Sequence, residues 1–235
     1  MLKQLVNFGA ALAAGLFVAS CNSASSTPRS DESAPQKSAS KTTESGTNDP
    51  LVAAADKGRI AGDSAAKTWV IIASDFQCPF CKRWHAESYR QLVDQYVRSG
   101  KVKVAYINFP LGQHLNAVPA AQGAMCASAQ NKFWQYHDAL FETQSRWAKM
   151  PDMRPVLDSI ARAVGVNFAD WNSCVAQDKT LSLIFADRDR AARAGVQSTP
   201  TFLIGRHVVA GTGPFSELKP IIDSAIALSG SAPAR

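Results

Sequence analysis

The stretch SDFQCPFC at residues 74–81 contains the clearest chemical signal in this 235-residue chain. Five residues with high strand propensity (WVIIA, 69–73) precede it, and a pattern typical of an amphipathic helix follows it. The two cysteines therefore stand where a buried strand passes into the first turn of a helix. At that position unpaired N–H groups and the helix dipole favour thiolate over thiol.

Cys78 is the predicted nucleophile, because it stands nearer the helix start and is expected to be the more exposed cysteine. Cys81, one turn further along, is the predicted resolving thiol. The Cys-x-x-Cys spacing lets one sulfur reach the other, so the pair can alternate between dithiol and disulfide. Pro79 suits the first helical position, where its missing N–H would have no partner anyway. A purely stabilising disulfide and a zinc half-site are the alternatives, and the zinc site lacks a second closely spaced pair of ligands.

The Cys-Pro-Phe-Cys motif, followed by STPTF at residues 198–202, resembles the DsbA-like branch of the thioredoxin superfamily. The resemblance covers roughly residues 55–228 and implies a thiol–disulfide oxidoreductase that uses no cofactor and no metal. It also implies that the Thr199–Pro200 bond is cis and faces Cys78. The Thr199 backbone would then pair with a substrate chain, and its hydroxyl would tune the thiolate.

The dipeptide between the cysteines, Pro79 and Phe80, is implied by the resemblance to affect the redox potential. Phe80 neither donates a hydrogen bond nor carries charge, so the extreme thiolate stabilisation of DsbA is not implied here. The buried acid that thioredoxin and DsbA place six residues before the first cysteine is Ile72 in this chain. The sequence therefore predicts no proton relay through that position, and Asp75 is interpreted as a turn or cap residue.

The N-terminus predicts export. Lys3 supplies a positive charge, residues 8–18 are apolar, and the tetrapeptide VASC, which ends at Cys21, resembles a lipoprotein cleavage box. We expect a signal peptide at residues 1–20 and membrane attachment through a lipid on Cys21. A secretory signal cut near Ala24 and an uncleaved membrane anchor are the alternatives, although the apolar run is short for an anchor. Export places the domain in the periplasm or cell envelope, where disulfides persist.

Composition divides the exported part into two segments. Residues 21–50 are rich in Ser and Thr and contain no aromatic residue, so they are predicted to form a disordered tether. Residues 51–235 are predicted to form one globular domain. The net charge of +6 does not indicate a nucleic-acid partner, because the basic residues are scattered and no basic run alternates with aromatic residues.

The predicted elements follow the order β-α-β, helical block, β-β-α, which indicates an α/β protein with a thioredoxin fold and a helical insertion at about residues 115–194. The predicted strands cover 59–63, 67–74, 101–109, 201–204 and 207–210. The predicted helices cover 51–56, 78–100, 116–129, 131–145, 153–164, 168–176, 178–194 and 215–229. Gly195 is the expected cap of the 178–194 helix, and Pro220 is expected to delay the start of the last helix.

Cys126 and Cys174 lie on different predicted helices of the insertion. In an oxidising compartment they are expected to form a structural disulfide, and a second redox couple that feeds Cys81 is the alternative. His114 is expected near the rim of the active site. His137 lies inside an apolar helical face and is expected to be a hydrogen-bonded core residue.

These features together predict a monomeric, membrane-tethered enzyme that donates a disulfide to exported proteins through Cys78 and Cys81. The resemblance implies a quinone-linked membrane protein of the DsbB type as its reoxidant. A reductase or isomerase kept reduced by a membrane electron donor is the alternative within redox chemistry, although residues 22–50 cannot supply the folded domain through which isomerases of this family dimerise. A lipoprotein that holds a soft metal on the same two thiols is the alternative from another class.

Overall fold

The computed structural model describes residues 49–231. The predicted signal peptide, Cys21 and nearly all of the predicted tether lie outside this range. Helix α1 begins at Pro50, one residue earlier than predicted, because Asp49 caps it and accepts a hydrogen bond from the Leu51 N–H at 2.8 Å. Within residues 49–231 no helix is both long enough and apolar enough to cross a bilayer.

One mixed sheet organises the fold. Its strands are β1 Ile60–Ala61, β2 Thr68–Ser74, β3 Val102–Asn108, β4 Thr201–Ile204 and β5 His207–Ala210. They stand in the order β1-β3-β2-β4-β5, with β2 and β3 parallel and the other neighbours antiparallel. Because Ala73 of β2 pairs with Thr201 of β4, the residues that follow β2 lie beside the residues that precede β4.

Helices enclose the sheet and form the insertion. Helix α2 runs continuously over residues 79–97, with α-helical segments Pro79–Trp84 and Arg90–Leu92 and π-helical segments His85–Tyr89 and Val93–Val97. The other helices are α1 Pro50–Gly58, α3 Ala117–Ser128, α4 Phe133–Trp147, α5 Arg154–Ala163, α6 Phe168–Ala176, α7 Leu181–Arg193 and α8 Phe215–Ser231. Helices α3 to α7 lie between β3 and β4, as the predicted insertion requires. The predicted thioredoxin fold with a helical insertion is therefore confirmed.

Two apolar cores support this arrangement. One fills the space between the sheet, α2 and α8, and includes Val70, Trp84, Phe202, Leu218 and Ile222. The other lies within the insertion and reaches the active-site turn; it includes Tyr106, Met125, Phe133, Trp147 and Trp171. The redox cysteines border the second core, so the turn that carries them rests on the packed insertion.

A disulfide links two helices of the insertion, and a buried ion pair joins the insertion to the residue that follows α1. Cys126 of α3 and Cys174 of α6 form a disulfide across a sequence separation of 48 residues. Closing a loop of that length contributes about 4 kcal/mol in the chain-entropy model. Arg59, just after α1, forms a buried ion pair with Asp187 of α7 and donates to the Tyr106 carbonyl at 3.1 Å.

The end of the insertion and the last helix test two details of the prediction. Gly195 follows α7 with φ of +90°, and its N–H donates to the Ala192 carbonyl, so the predicted glycine cap is confirmed. The expected delay at Pro220 was wrong, since α8 begins at Phe215 and contains Pro220 in its interior. Packing of the apolar face of α8 on the sheet, through Leu218 among others, offsets the backbone hydrogen bond that proline cannot donate.

Candidate active site

The turn after β2 presents the two cysteines. Asp75 begins it, with its carbonyl accepting from the Cys78 N–H at 3.1 Å and its Oδ1 from the Gln77 N–H at 2.7 Å. Cys78 is the N-cap residue of α2 in an extended conformation, and Pro79 occupies the first helical position. Both cysteines are free thiols. The Cys78 sulfur consequently faces the unpaired N–H groups of the first turn of α2.

The two thiols differ in acidity. A hydrogen bond from Cys81 lowers the pKa of Cys78 to about 6, against the opposing effect of burial. The Thr199 side chain and the backbone N–H groups of Phe80 and Cys81 lower it further. Burial raises the pKa of Cys81 well above its ordinary value, and the neighbouring Cys78 raises it more. At neutral pH the pair therefore holds one thiolate, on Cys78, and one proton, on Cys81.

Thr199 and Pro200 lie against the cysteine pair, just before β4. The peptide bond between them is cis, and the Cys78 sulfur lies 3.6 Å from the Thr199 carbonyl oxygen, to which it donates when it is protonated. The Thr199 hydroxyl is buried and makes no hydrogen bond within residues 49–231. The structure thus brings the pair Cys78 and Cys81 together with Thr199 and Pro200, which lie more than a hundred residues further along the chain.

The expected exposure of Cys78 was wrong. Cys78 and Cys81 are each only 2% exposed. The loop before β4 lies against Cys78, and Cys81 packs into the apolar core of the insertion. Phe80 is instead the exposed residue of the motif, with 54% of its surface accessible. The chemical difference between the two sulfurs therefore comes from the hydrogen bonds that lower the pKa of Cys78 and from the burial and neighbouring charge that raise the pKa of Cys81.

Asp75 does more than the turn role predicted for it. Its carboxylate is fully buried, and Oδ2 accepts from the Leu111 N–H at 2.9 Å and lies 2.7 Å from His114 Nδ1. His114 was expected near the rim, and this contact places it beside the active-site turn. The Asp75 backbone also lowers the pKa of the Cys81 thiol, against the larger effect of burial. Asp75 therefore ties the cysteine turn to the loop that follows β3.

Gln77 within the turn, and Asn116 and Gln144 of the insertion, hold the turn against the insertion, and none of them was predicted from the sequence to have a role. Gln144 of α4 donates to the Phe76 and Cys78 carbonyls at 2.7 and 3.0 Å. Gln77 donates to the Ala148 carbonyl and accepts from the Asn116 N–H, both at 2.6 Å. The available signal was Gln144 itself, a polar side chain on the buried face of a predicted amphipathic helix.

Comparison with known proteins agrees with this geometry. A thioredoxin family model matches residues 54–224. A Bacillus anthracis protein described as a probable disulfide bond formation protein D is 25% identical over 165 residues, covering 69% of this chain and 75% of that protein. The crystal structure of oxidised BdbD from Bacillus subtilis superposes with a TM-score of 0.66 at 21% identity, over 73% of this chain and 94% of that one.

This chain is a DsbA-like member of the thioredoxin superfamily. Wolbachia pipientis alpha-DsbA1 has the same fold, with a TM-score of 0.65 at 20% identity, over 73% of this chain and 92% of that one. The DsbA-like chain is accordingly a thiol–disulfide oxidoreductase, as predicted. Among residues 49–231 the two thiols belong to no group of three or more metal-ligating side chains, which weighs against the zinc half-site.

The alkylation rate of the reduced DsbA-like protein is expected to rise with pH through a midpoint near 6, since only the Cys78 thiolate reacts. The free energy of unfolding of the reduced protein is expected to depend on the ionisation of the same Cys78 thiol. The folded pKa lies below that of the unfolded thiol, so the reduced protein gains stability as pH rises from about 6 to 9 and loses it as pH falls through 6. Iodoacetamide kinetics and denaturant titration measure the two effects. A midpoint near 9 would contradict the assignment.

Proposed function

We propose that this protein donates a disulfide to exported proteins through Cys78 and Cys81. The observation that carries the proposal is the acidity difference between the two sulfurs, with the pKa of Cys78 lowered to about 6 and that of Cys81 raised. Contacts that stabilise the Cys78 thiolate stabilise the dithiol form of the pair. They therefore make its disulfide a better oxidant.

The thiol–disulfide exchange proceeds in two steps, formation and resolution of a mixed disulfide. A substrate thiolate attacks Cys78 Sγ of the disulfide, the Cys78–Cys81 bond breaks, and Cys81 leaves with the electron pair and takes up a proton. A second substrate thiolate then attacks the substrate sulfur of the mixed disulfide and expels Cys78 as a thiolate. Because a thiol of low pKa is the better leaving group, this second step favours release of the oxidised substrate.

The surface around the cysteines suits an unfolded polypeptide. Phe80 lies inside the motif, and Leu115, in the loop beside Gln77, is 85% exposed. Exposed apolar side chains at a reactive sulfur supply sequence-tolerant contact for unfolded segments. The Thr199 backbone, placed beside Cys78 by the cis bond to Pro200, is the proposed pairing partner of the substrate chain. Pro79 and Phe80 are the proposed tuning dipeptide.

Location and partners follow from the N-terminal sequence and the family. We assign residues 1–20 to a lipoprotein signal peptide, 21–50 to a tether and 51–235 to the catalytic domain, which acts as a monomer in the periplasm or cell envelope. The lipid on Cys21 is the proposed anchor, and a Cys21→Ala variant should leave the membrane fraction. A membrane protein of the DsbB type is the proposed reoxidant, and the Cys126–Cys174 disulfide is the proposed structural bridge.

Stoichiometric oxidation tests the proposal. The oxidised protein is mixed with an excess of a reduced, unfolded peptide that contains two cysteines, and free thiols are counted over time. The expected result is one new peptide disulfide for each protein molecule, with Cys78 and Cys81 recovered as thiols. A Cys126→Ser/Cys174→Ser variant should give the same stoichiometry. A peptide that keeps its thiols while the protein stays oxidised would overturn the proposal.

A further inference from the structure

A second cluster of chemically active side chains lies beyond the redox pair, between α2 and α4. His85 Nε2 lies 2.9 Å from Asp138 Oδ1, and His137 Nδ1 lies 2.8 Å from the same oxygen. These three ligand atoms lie within 4.8 Å of one another. Among residues 49–231 this is the one group of three or more His, Cys or carboxylate side chains whose ligand atoms converge in this way.

The backbone places the three ligands on two different elements. His85 follows Cys81 by one helical turn, and its N–H donates to the Cys81 carbonyl. It begins the π-helical segment His85–Tyr89, and such segments are frequent at functional sites. The other two ligands are consecutive residues of α4. A group bound to all three side chains would join the redox helix to the insertion.

The surroundings of the cluster fix the buried His137 ring and leave the Asp138 carboxylate accessible to solvent. The His137 ring packs edge-to-face against Phe76, Tyr106 and Phe141, which fixes its orientation. Asp138 is 44% exposed and, with His85, lines a cavity of about 580 Å³ that opens to solvent. A cation therefore has an entry path and room for a water ligand.

The cavity also holds a candidate fourth ligand. Glu142 stands one helical turn beyond Asp138 on α4 and lines the same cavity. Lys82 and Arg90 line the cavity as well, and the carboxylates of Asp138 and Glu142 offset their positive charge. Asp94 and Arg98 lie at the same cavity and pair with each other at 2.6 Å.

The geometry points to a zinc site formed by His85, His137 and Asp138, with Glu142 or water in the fourth position. Zn²⁺ takes imidazole nitrogen and carboxylate oxygen at about 2.0–2.2 Å, which sets neighbouring tetrahedral ligands about 3.3 Å apart. The two imidazole nitrogens lie 2.9 and 2.8 Å from Asp138 Oδ1 and within 4.8 Å of each other, so both would move slightly away from the carboxylate to reach this geometry. Each imidazole would bind Zn²⁺ through the nitrogen that faces Asp138 and would carry its hydrogen on the other ring nitrogen. No electron transfer is involved.

Calorimetric titration with Zn²⁺ tests the site independently of redox activity. The oxidised full chain in a Cys21→Ser background removes competing thiols, because Cys78 and Cys81 are then in a disulfide. The expected result is one Zn²⁺ bound per chain at pH 7. Replacement of one ligand, as His85→Gln or Asp138→Asn, should weaken binding at least about tenfold.

Matched controls separate a built site from surface binding. His207 stands exposed on β5 at the edge of the sheet, so His207→Gln should bind Zn²⁺ like the parent protein. Circular dichroism without metal verifies that each variant folds, and either ligand variant decides the question if the other does not fold. Absence of Zn²⁺ uptake by the parent protein, or equal affinity in the ligand variants and the parent, would overturn the inference.

Discussion

Replacing Cys78 with serine is expected to reduce thiol–disulfide exchange to the uncatalysed rate. Cys78 carries the one sulfur of the pair that is ionised at neutral pH, with a pKa of about 6, and a serine hydroxyl neither ionises there nor forms a disulfide. Reduction of insulin disulfides in the presence of dithiothreitol measures the loss. Exchange by the variant at more than a small fraction of the parent rate would contradict the assignment.

The companion variant Cys81→Ser distinguishes the two roles. It keeps the Cys78 thiolate but removes the sulfur that resolves a mixed disulfide, so complexes with substrate should accumulate and survive acid quenching. Non-reducing electrophoresis and mass mapping of the cross-linked cysteine read this out. The matched control is Cys126→Ser/Cys174→Ser. In the parent protein these two cysteines form a disulfide with each other and not with the Cys78–Cys81 pair. That variant should retain exchange and trap nothing.

The largest loss of stability from a single substitution is expected for Arg59→Met. Asp187 is completely buried, and Arg59 donates to both of its carboxylate oxygens. Removal of the guanidinium leaves a buried carboxylate with Asn108 and the half-exposed Arg190 as its remaining donors. Breaking a buried pair from one side costs about 3–5 kcal/mol, and the remaining donors favour the lower end of that range. Urea denaturation followed by circular dichroism measures the change.

Arg190→Met is the matched control for Arg59→Met. Arg190 also donates to Asp187, at 2.7 Å, but its side chain is 53% exposed and water replaces it readily. An exposed pair contributes roughly 0–1 kcal/mol, so the loss should stay within that range. Equal losses for the two variants, or a loss below about 1 kcal/mol for Arg59→Met, would contradict the importance of the buried pair.

The sequence predicted the order of elements and the partners in the active site well, for identifiable reasons. A strand followed by Cys-Pro-Phe-Cys at a helix start is a local pattern, and periodic apolar residues located the insertion helices to within about three residues. The STPTF segment gave the distant partner of Cys78 through family resemblance. The structure brings the two segments together because β2 and β4 are neighbours in the sheet.

Features that depend on tertiary contacts were not predictable in the same way. The burial of Cys78 comes from the loop before β4, and the pairing of Asp75 with His114 joins residues 39 positions apart. The ion pair between Arg59 and Asp187 spans 128 positions. Neither residue carries a local signal for its partner, since charged side chains are ordinarily exposed. The convergence of two histidines and an aspartate beside α2 depends on helix packing in the same way.

The equilibrium redox potential of the Cys78–Cys81 pair, measured in glutathione buffers, tests the central claim most directly. The pKa of Cys78, about 6, lies between the values of about 7 for thioredoxin and about 3.5 for DsbA. The potential should accordingly fall between those of the two proteins, above about −270 mV and up to about −120 mV, which makes the disulfide a better donor than that of thioredoxin. A value at or below about −270 mV would place the pair with thioredoxin and contradict disulfide donation.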